Sequence, residues 1–124
     1  MVDLKGKHVT VVGVSEDPTK YGNKIFKTLR QDGLDVYAVG KRGGQVAGAE
    51  VYKTLSEVPG KVDFVIMVVP PPAAVPVVEE AIKLGVKEMW FQPGAENPEA
   101  EKLANDNGIK TTSRACVMVQ GGFW

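Results

Sequence analysis

The chain has 124 residues, enough to close one hydrophobic core but not two, so we expect a single domain spanning 1–124. Lysine and arginine together number 15, as do aspartate and glutamate, which excludes the overall positive field on which non-specific nucleic-acid binding depends. The single cysteine, Cys116, excludes an internal disulfide framework and a multi-cysteine zinc site, and we expect no bound metal.

The hydropathy pattern gives no sign of export or membrane insertion. The first residues lack the apolar core of a signal peptide, and the longest apolar stretch, Phe64 to Val78, contains four prolines. We therefore expect a cytoplasmic protein that does not enter a membrane.

Three segments end with a glycine, an apolar residue and a charged residue, a pattern typical of a helix C-cap that leads into a strand. The glycines are Gly33, Gly85 and Gly108. Apolar residues at near-helical spacing precede each of them, so we predict three amphipathic helices. Asn97 and Pro98 suit the cap and first turn of the last helix, and the run from Pro70 to Pro72 marks where the middle helix has not yet begun.

Apolar, β-branched runs alternate with these helices, and each is a predicted strand. The runs are His8 to Val12, Asp35 to Val39, Val62 to Val69, Lys87 to Phe91 and Ile109 to Thr112. Their continuous hydrophobicity is typical of parallel strands that are covered on both faces. Between the second and third runs, Gln45 to Gly60 carries a capping-box pattern at Thr54 to Glu57, so we expect only a turn of helix there.

The predicted fold is therefore α/β, a three-layer, doubly wound parallel sheet of about five strands with helices on both faces. A sheet of this kind binds its ligand beyond the carboxyl ends of the strands, where the strand order reverses. The segments that follow each strand are thus the candidate binding loops.

The loop after the first strand resembles a dinucleotide turn only in part. Gly13 and Ser15 stand where G-x-G is expected, but no third glycine occurs until Gly22. The backbone amides of Val14 and Ser15, the Ser15 hydroxyl and the next helix N-terminus could together hold an anion, with Lys20 supplying charge. A tight turn with local capping explains the same residues equally well.

The loop after the second strand carries Lys41 and Arg42 between Gly40 and the pair Gly43-Gly44. An NAD-dependent enzyme usually has an acidic residue here to accept from the ribose hydroxyl, whereas two cations suit a ribose phosphate. Coenzyme A has a 3′-phosphate and NADP a 2′-phosphate, so both remain candidates. A solvated basic turn is the alternative.

The loops after the third and fourth strands carry no cations, and we expect them to contribute to the shape of a binding site more than to its charge. The prolines from Pro70 onward remove N–H donors and stiffen an edge against which a ligand could pack, although they also suit a simple strand end. Gln92 could direct its amide into the crevice, whereas Trp90 and Phe91 are more typical of core positions.

The order and spacing of these segments resemble those of the small stand-alone coenzyme A-binding proteins, whose Rossmann-like domain also forms the N-terminal part of the succinyl-CoA synthetase α-subunit and of related acyl-CoA synthetases. The resemblance extends from about Lys7 to Met118. It is carried by Val12 to Ser15, Val36 to Val39, Val51 to Leu55 with Val58-Pro59, Val62-Asp63, Val69-Pro70, Gly85 to Lys87, Trp90 to Ala95 and Arg114 to Met118.

The resemblance implies that the Gly13 turn and the Lys20 segment contact the coenzyme A phosphates, that the loop after the second strand takes the 3′-phosphate, and that the edge at Val69 borders the coenzyme. The stand-alone proteins carry Asn-Pro-Lys after the second strand. The glycine-rich loop of this chain is closer to the synthetase version, which leaves open whether Lys41 or Arg42 meets the phosphate. The expected coenzyme A-binding residues are Gly13, Val14, Ser15, Lys20, Tyr21, Gly22, Val39, Gly40, Lys41, Arg42, Val69, Pro70 and Gln92.

The resemblance implies a protein that binds coenzyme A or a short acyl-CoA and is not catalytic by itself, since the synthetase histidine lies outside this domain. The only histidine, His8, opens the first strand at the end opposite the crevice, and we expect no catalytic residue. The alternatives are an NADP-binding or thiol-redox protein that uses Cys116, and an accessory or regulatory subunit of an acyl-CoA ligase. The aromatic tail, Phe123 and Trp124, leaves a homo-oligomer open.

Overall fold

A computed structural model describes residues 3–124 and has three layers, with a sheet between two pairs of helices. The strands are β1 (Val9–Val12), β2 (Val36–Val39), β3 (Gln45–Val46), β4 (Ala49–Tyr52), β5 (Phe64–Met67), β6 (Glu88–Phe91) and β7 (Lys110–Thr112). The helices are α1 (Tyr21–Gln31), α2 (Ala74–Leu84), α3 (Pro98–Asp106) and α4 (Val117–Gln120), with 3-10 turns at Leu55–Glu57 and Pro71–Ala73.

The sheet has the order β3-β4-β2-β1-β5-β6-β7, and every neighbouring pair is parallel except β3 with β4. The final residue of β1, Val12, aligns with Val39 of β2 and with Met67 of β5. The chain builds outward from β1 first on one side and then on the other, so the strand order reverses between β1 and β5. The predicted doubly wound α/β fold is confirmed.

The two faces of the sheet bury separate apolar clusters. Val9, Val11 and Phe64 pack with residues of α1 and α4 on one face. Val65 and Met67 pack with residues of α2 and α3 on the other. Since each central strand is covered on both sides, its sequence has the continuous hydrophobic run from which the strands were predicted.

The helix ends agree with their predicted signals. Gly33, Gly85 and Gly108 have φ values of 79°, 73° and 82°, the left-handed conformation of a helix C-terminus. The Asn97 side chain accepts a hydrogen bond from the Ala100 amide at 3.1 Å and caps α3.

The expectation for the segment from Gln45 to Gly60 was wrong in part, because it also contains the β3–β4 hairpin. Both hairpin turn residues, Ala47 and Gly48, have positive φ, at 52° and 78°, as a two-residue type I′ turn requires. Alanine seldom adopts this conformation, so the turn has no clear sequence signal. Because β4 also pairs in parallel with β2, the sheet has seven strands and not about five.

Two smaller features also depend on tertiary contacts. The 3-10 turn at Leu55–Glu57 is present, but its amides are bound by Glu80 of α2, at 3.0 Å from the Leu55 nitrogen, and Thr54 makes no capping bond. The apolar run at the C-terminal end continues into a fourth helix, α4. None of the helices within residues 3–124 is long and apolar enough to cross a membrane.

Candidate functional site

The carboxyl end of β1 is in direct backbone contact with its neighbours through two glycines. A β-carbon on Gly13, which has a φ of 106°, would overlap the carbonyl of Val68 beyond β5. A β-carbon on Gly22 would overlap the carbonyl of Gly13, so the first turn of α1 lies directly on the end of β1. Gly22 thus allows the close helix–strand packing that the third glycine of a dinucleotide motif allows, although its spacing in the sequence hides this role.

A third glycine joins the ends of β1 and β2. The Gly13 and Val14 amides donate to the Val39 carbonyl at 2.8 and 3.0 Å, and a β-carbon on Gly40 would overlap the Val14 carbonyl. The Val14 amide, which the sequence suggested as an anion donor, is therefore engaged within the protein. The Ser15 amide has no acceptor among residues 3–124.

The loop between β1 and α1 is ordered by its own polar contacts. The buried Asn23 donates from Nδ2 to the Ser15 carbonyl at 2.7 Å, and the Ser15 hydroxyl accepts from the Asp17 amide at 3.1 Å. The Thr19 amide and then its hydroxyl donate to Asp17 and lower the pKa of that carboxyl. Asn23 was missed from the sequence, where its one signal is a polar residue on the buried side of a helix.

The N-terminus of α1 opens beside this loop. Lys20, the residue before the helix, has an extended backbone and makes no side-chain capping bond. No acidic residue lies in the first turn, and the side chains of Lys20 and Tyr21 are exposed. Uncapped amides, the positive end of the helix dipole and a lysine form a favourable environment for phosphate.

The loop after β2 forms a tight cationic turn. The Gly43 amide donates to the Gly40 carbonyl at 2.9 Å, which places Lys41 and Arg42 at the exposed tip. Neither cation has an ion-pair partner in the part of the chain that the structure describes. A third cation, Lys53, packs its stem on this turn, with Cε 3.4 Å from the position of a β-carbon on Gly43. The sequence did not indicate Lys53, because it reaches the turn through the unpredicted strand β4.

A carboxylate from the first loop reaches the same turn. Glu16 Oε2 accepts from the Gln45 amide at 2.9 Å. The Glu16 carboxyl carbon lies 2.5 Å from the position of a β-carbon on Gly44, so a larger residue there would displace the carboxylate. The loops after β1 and β2 are therefore joined by a side chain as well as by backbone.

The segment after β5 forms a third wall beside the end of β1. Val69 lies against Gly13, with Cγ1 3.2 Å from the position of a β-carbon there. The Pro70 carbonyl accepts from the Ala73 amide at 2.9 Å, and Asn97 Nδ2 donates to the Pro71 carbonyl at 2.7 Å. These bonds give the wall a fixed position.

The side chain of Gln92 turns toward the C-terminal segment. Its Oε1 accepts from the Val117 amide at 2.8 Å, and its Nε2 lies 3.4 Å from the half-buried Cys116 Sγ. Trp90 donates to the Ala115 carbonyl at 2.7 Å, so both side chains hold the start of α4 against the sheet. The amide of Gln92 is thus engaged within the protein.

The opposite edge of the sheet contains a cavity of about 350 Å³, lined by Lys5 to His8 and Asp32 to Asp35. His8 Nδ1 lies 2.7 Å from Asp35 Oδ2, at the amino ends of β1 and β2. Although the cavity is concave, it lies away from the carboxyl edge, where sheets of this topology bind ligands. We therefore assign the candidate site to the carboxyl edge.

The parallel sheet, the strand-order reversal at β1 and the glycine-lined loop ends define a Rossmann-like α/β domain of the nucleotide-binding type. A family model described as "CoA binding domain" matches residues 7–122. The chain belongs to the CoA-binding domain family.

Among curated proteins, the chain is 33% identical over 120 residues to the alpha subunit of acetate–CoA ligase (ADP-forming) II from Pyrococcus furiosus. This match covers 88% of the chain and 26% of the ligase subunit. Two further acetate–CoA ligase relatives are matched over 18% and 19% of their length. The chain therefore spans about a quarter or less of the length of these curated relatives.

Two solved structures contain the same fold, one in a chain of similar length and one as part of a much longer chain. A hypothetical protein from Pyrococcus horikoshii OT3 has a TM-score of 0.89 and 34% identity, with 94% of this chain and 82% of that one covered. The dinucleotide-forming acetyl-coenzyme A synthetase 1 of Ca. Korarchaeum cryptofilum has a TM-score of 0.76 and 28% identity, with 87% and 25% covered. The chain is similar both to a protein of about its own size and to one part of a larger synthetase.

Proposed function

We propose that this protein binds coenzyme A or a short acyl-CoA in the crevice formed by the loops after β1, β2 and β5, and that it is not catalytic by itself. The observation that carries the proposal is the cationic turn at Lys41 and Arg42, which have no ion-pair partners among residues 3–124. Gly40 joins this turn directly to the Gly13 loop. Membership of the CoA-binding domain family supports the same ligand.

In this proposal the two ends of the nucleotide use different loops. The pyrophosphate lies at the Ser15 amide and the uncapped start of α1, where dipole and charge favour an anion. The ribose 3′-phosphate lies at the turn of Lys41 and Arg42, with Lys53 beside it. The wall at Val69 and Pro70 borders the rest of the coenzyme.

A second candidate function is that of an accessory subunit of an acyl-CoA ligase. For either function we propose a cytoplasmic location. The relative from Pyrococcus furiosus is itself the alpha subunit of an acetate–CoA ligase and is much longer than this chain. In this role the chain presents bound coenzyme A to a separate catalytic protein. A pull-down that recovers no ligase-type protein would contradict this role and leave coenzyme A binding intact.

Calorimetric titration of the whole chain with coenzyme A and with dephospho-coenzyme A tests the main proposal. Removal of the 3′-phosphate should weaken binding by about tenfold or more, the effect of losing charge-assisted hydrogen bonds. The double variant Lys41→Ala/Arg42→Ala should remove most of this difference. Lys83→Ala, near the C-terminus of α2, is the matched control and should retain it.

Equal affinity for the two coenzymes in the unmodified protein would contradict the proposed role of the cationic turn. The NADP-binding alternative predicts NADPH affinity comparable to that for coenzyme A. The thiol-redox alternative predicts that Cys116 exchanges with coenzyme A disulfide, forms a mixed disulfide with one coenzyme A and releases the other as the free thiol. Intact-protein mass spectrometry detects this product, and the variant Cys116→Ser abolishes it.

A further inference from the structure

An acidic side chain lies beside the segment that follows β2, although that segment is itself basic. In dinucleotide-binding folds an Asp or Glu at this position accepts a hydrogen bond from a ribose hydroxyl. The segment after β2 contributes only glycines and the two cations. Glu16, from the loop after β1, brings a carboxylate to this segment. It is bonded to Gln45, which lies 29 residues later in the sequence.

The position of Glu16 is held by two contacts and leaves one oxygen available. Oε2 accepts from the Gln45 amide at 2.9 Å, while Oε1 has no hydrogen-bond partner within residues 3–124. Gly44, at a φ of 96°, leaves the space that the carboxylate fills. Glu16 is exposed to solvent, so its carboxylate is accessible to a ligand at this end of the sheet.

Charges of both signs therefore lie along the segment from Lys41 to Gln45. Lys41 and Arg42 occupy the tip, and the Glu16 carboxylate lies at the Gly44 end. A ribose with a phosphate on one carbon and a free hydroxyl on the next can use both charges, since the phosphate binds cations and the hydroxyl donates to a carboxylate. A phosphate in place of that hydroxyl would face the carboxylate and be repelled.

We propose that Glu16 is a specificity-determining residue that accepts a hydrogen bond from the ribose 2′-hydroxyl and excludes 2′-phosphorylated nucleotides. This inference rests on the proposed coenzyme A function and deepens it. It explains how a basic turn that suits either ribose phosphate distinguishes a 3′-phosphate from a 2′-phosphate.

Two isomeric probes test the exclusion directly, adenosine 3′,5′-bisphosphate and adenosine 2′,5′-bisphosphate. The unmodified protein should prefer the 3′,5′ isomer by about tenfold or more. Glu16→Gln keeps an acceptor for the Gln45 amide but removes the charge, so it should reduce the preference by tightening binding of the 2′,5′ isomer. Glu99→Gln, an exposed residue at the start of α3, is the control and should leave the preference unchanged.

A third probe, 2′-deoxyadenosine 3′,5′-bisphosphate, tests the hydrogen bond. The unmodified protein should bind it about fivefold to tenfold more weakly than the ribose form, whereas Glu16→Ala should bind the two alike. If Glu16 only maintains the loop structure, Glu16→Ala should weaken the binding of both probes equally and leave the ratio of their affinities unchanged.

The inference is overturned if Glu16→Gln leaves the isomer preference as it was, or if the unmodified protein binds coenzyme A but neither bisphosphate. Failure of the inference is distinguishable from failure of the proposed function. If only the inference fails, coenzyme A still binds with a clear preference over dephospho-coenzyme A. If the proposed function fails, this preference is absent.

Discussion

Gly13, Gly22 and Gly40 allow the carboxyl edge of the sheet to form because each lies where a side chain would overlap a backbone carbonyl. A backbone carbonyl within a strand or turn cannot rotate away as a flexible side chain can. Any larger residue at these positions must therefore separate two elements of the site.

We expect Gly13→Ala to lower the free energy of unfolding by about 3 kcal/mol or more, from the combined cost of a left-handed alanine and of overpacking. Gly108→Ala is the matched control, since Gly108 also has positive φ but no atom near the position of its β-carbon. It should cost about 1 to 2 kcal/mol, from the backbone conformation alone. Urea denaturation measures both values, and equal losses would show that the close approach at Gly13 is unimportant.

The position of a candidate-site residue could be predicted from the sequence where its neighbours in the chain indicate it. Lys41 and Arg42 follow a strand and stand among glycines, so their place at the turn could be predicted. Glu16 and Lys53 could not, because each reaches this turn from a different loop and only the folded sheet brings them together. The engaged amides of Val14 and Gln92 were hidden for the same reason.

The β3–β4 hairpin positions one side of the candidate site. It extends the sheet beyond β2 and carries Lys53 to the cationic turn. The hairpin depends on a turn whose first residue, Ala47, has a φ of 52°. A non-glycine residue in this region is held there against its own preference by the pairing of the two strands.

We expect Ala47→Gly to raise the free energy of unfolding by about 1 kcal/mol, because glycine adopts positive φ without steric cost. Ala49→Gly, at the start of β4, is the control and should lower it by a similar amount, since glycine weakens a strand. Thermal unfolding followed by circular dichroism distinguishes the two. A loss of stability in Ala47→Gly would contradict the turn assignment.

Elements with strong local signals were predicted well, and short elements that depend on pairing were not. The glycines after α1, α2 and α3, and the cap at Asn97, mark helix ends through local backbone chemistry. The strands β3 and β4 are short, and β4 is a strand because it pairs with β2. Likewise the start of α4 is held by two long-range hydrogen bonds, one that the Val117 amide donates to Gln92 and one that Trp90 donates to the Ala115 carbonyl.

The net charge of zero for the whole chain does not prevent a local concentration of unpaired cations. The amino edge pairs His8 with Asp35, and its cavity is lined by both lysine and aspartate. The carboxyl edge carries Lys41 and Arg42 without ion-pair partners among residues 3–124. A local anion site is thus compatible with a neutral protein.

A titration of the isotopically labelled protein with coenzyme A, followed through its amide NMR shifts, tests directly whether the coenzyme binds at the carboxyl edge of the sheet. We expect the largest changes at the carboxyl edge, at Gly13, Ser15, Gly40 and Gly44, with little change at Gly6 and Gly33 beside the amino-edge cavity. Changes confined to the amino edge, or no changes at millimolar coenzyme A, would contradict the assignment of the carboxyl edge as the coenzyme site.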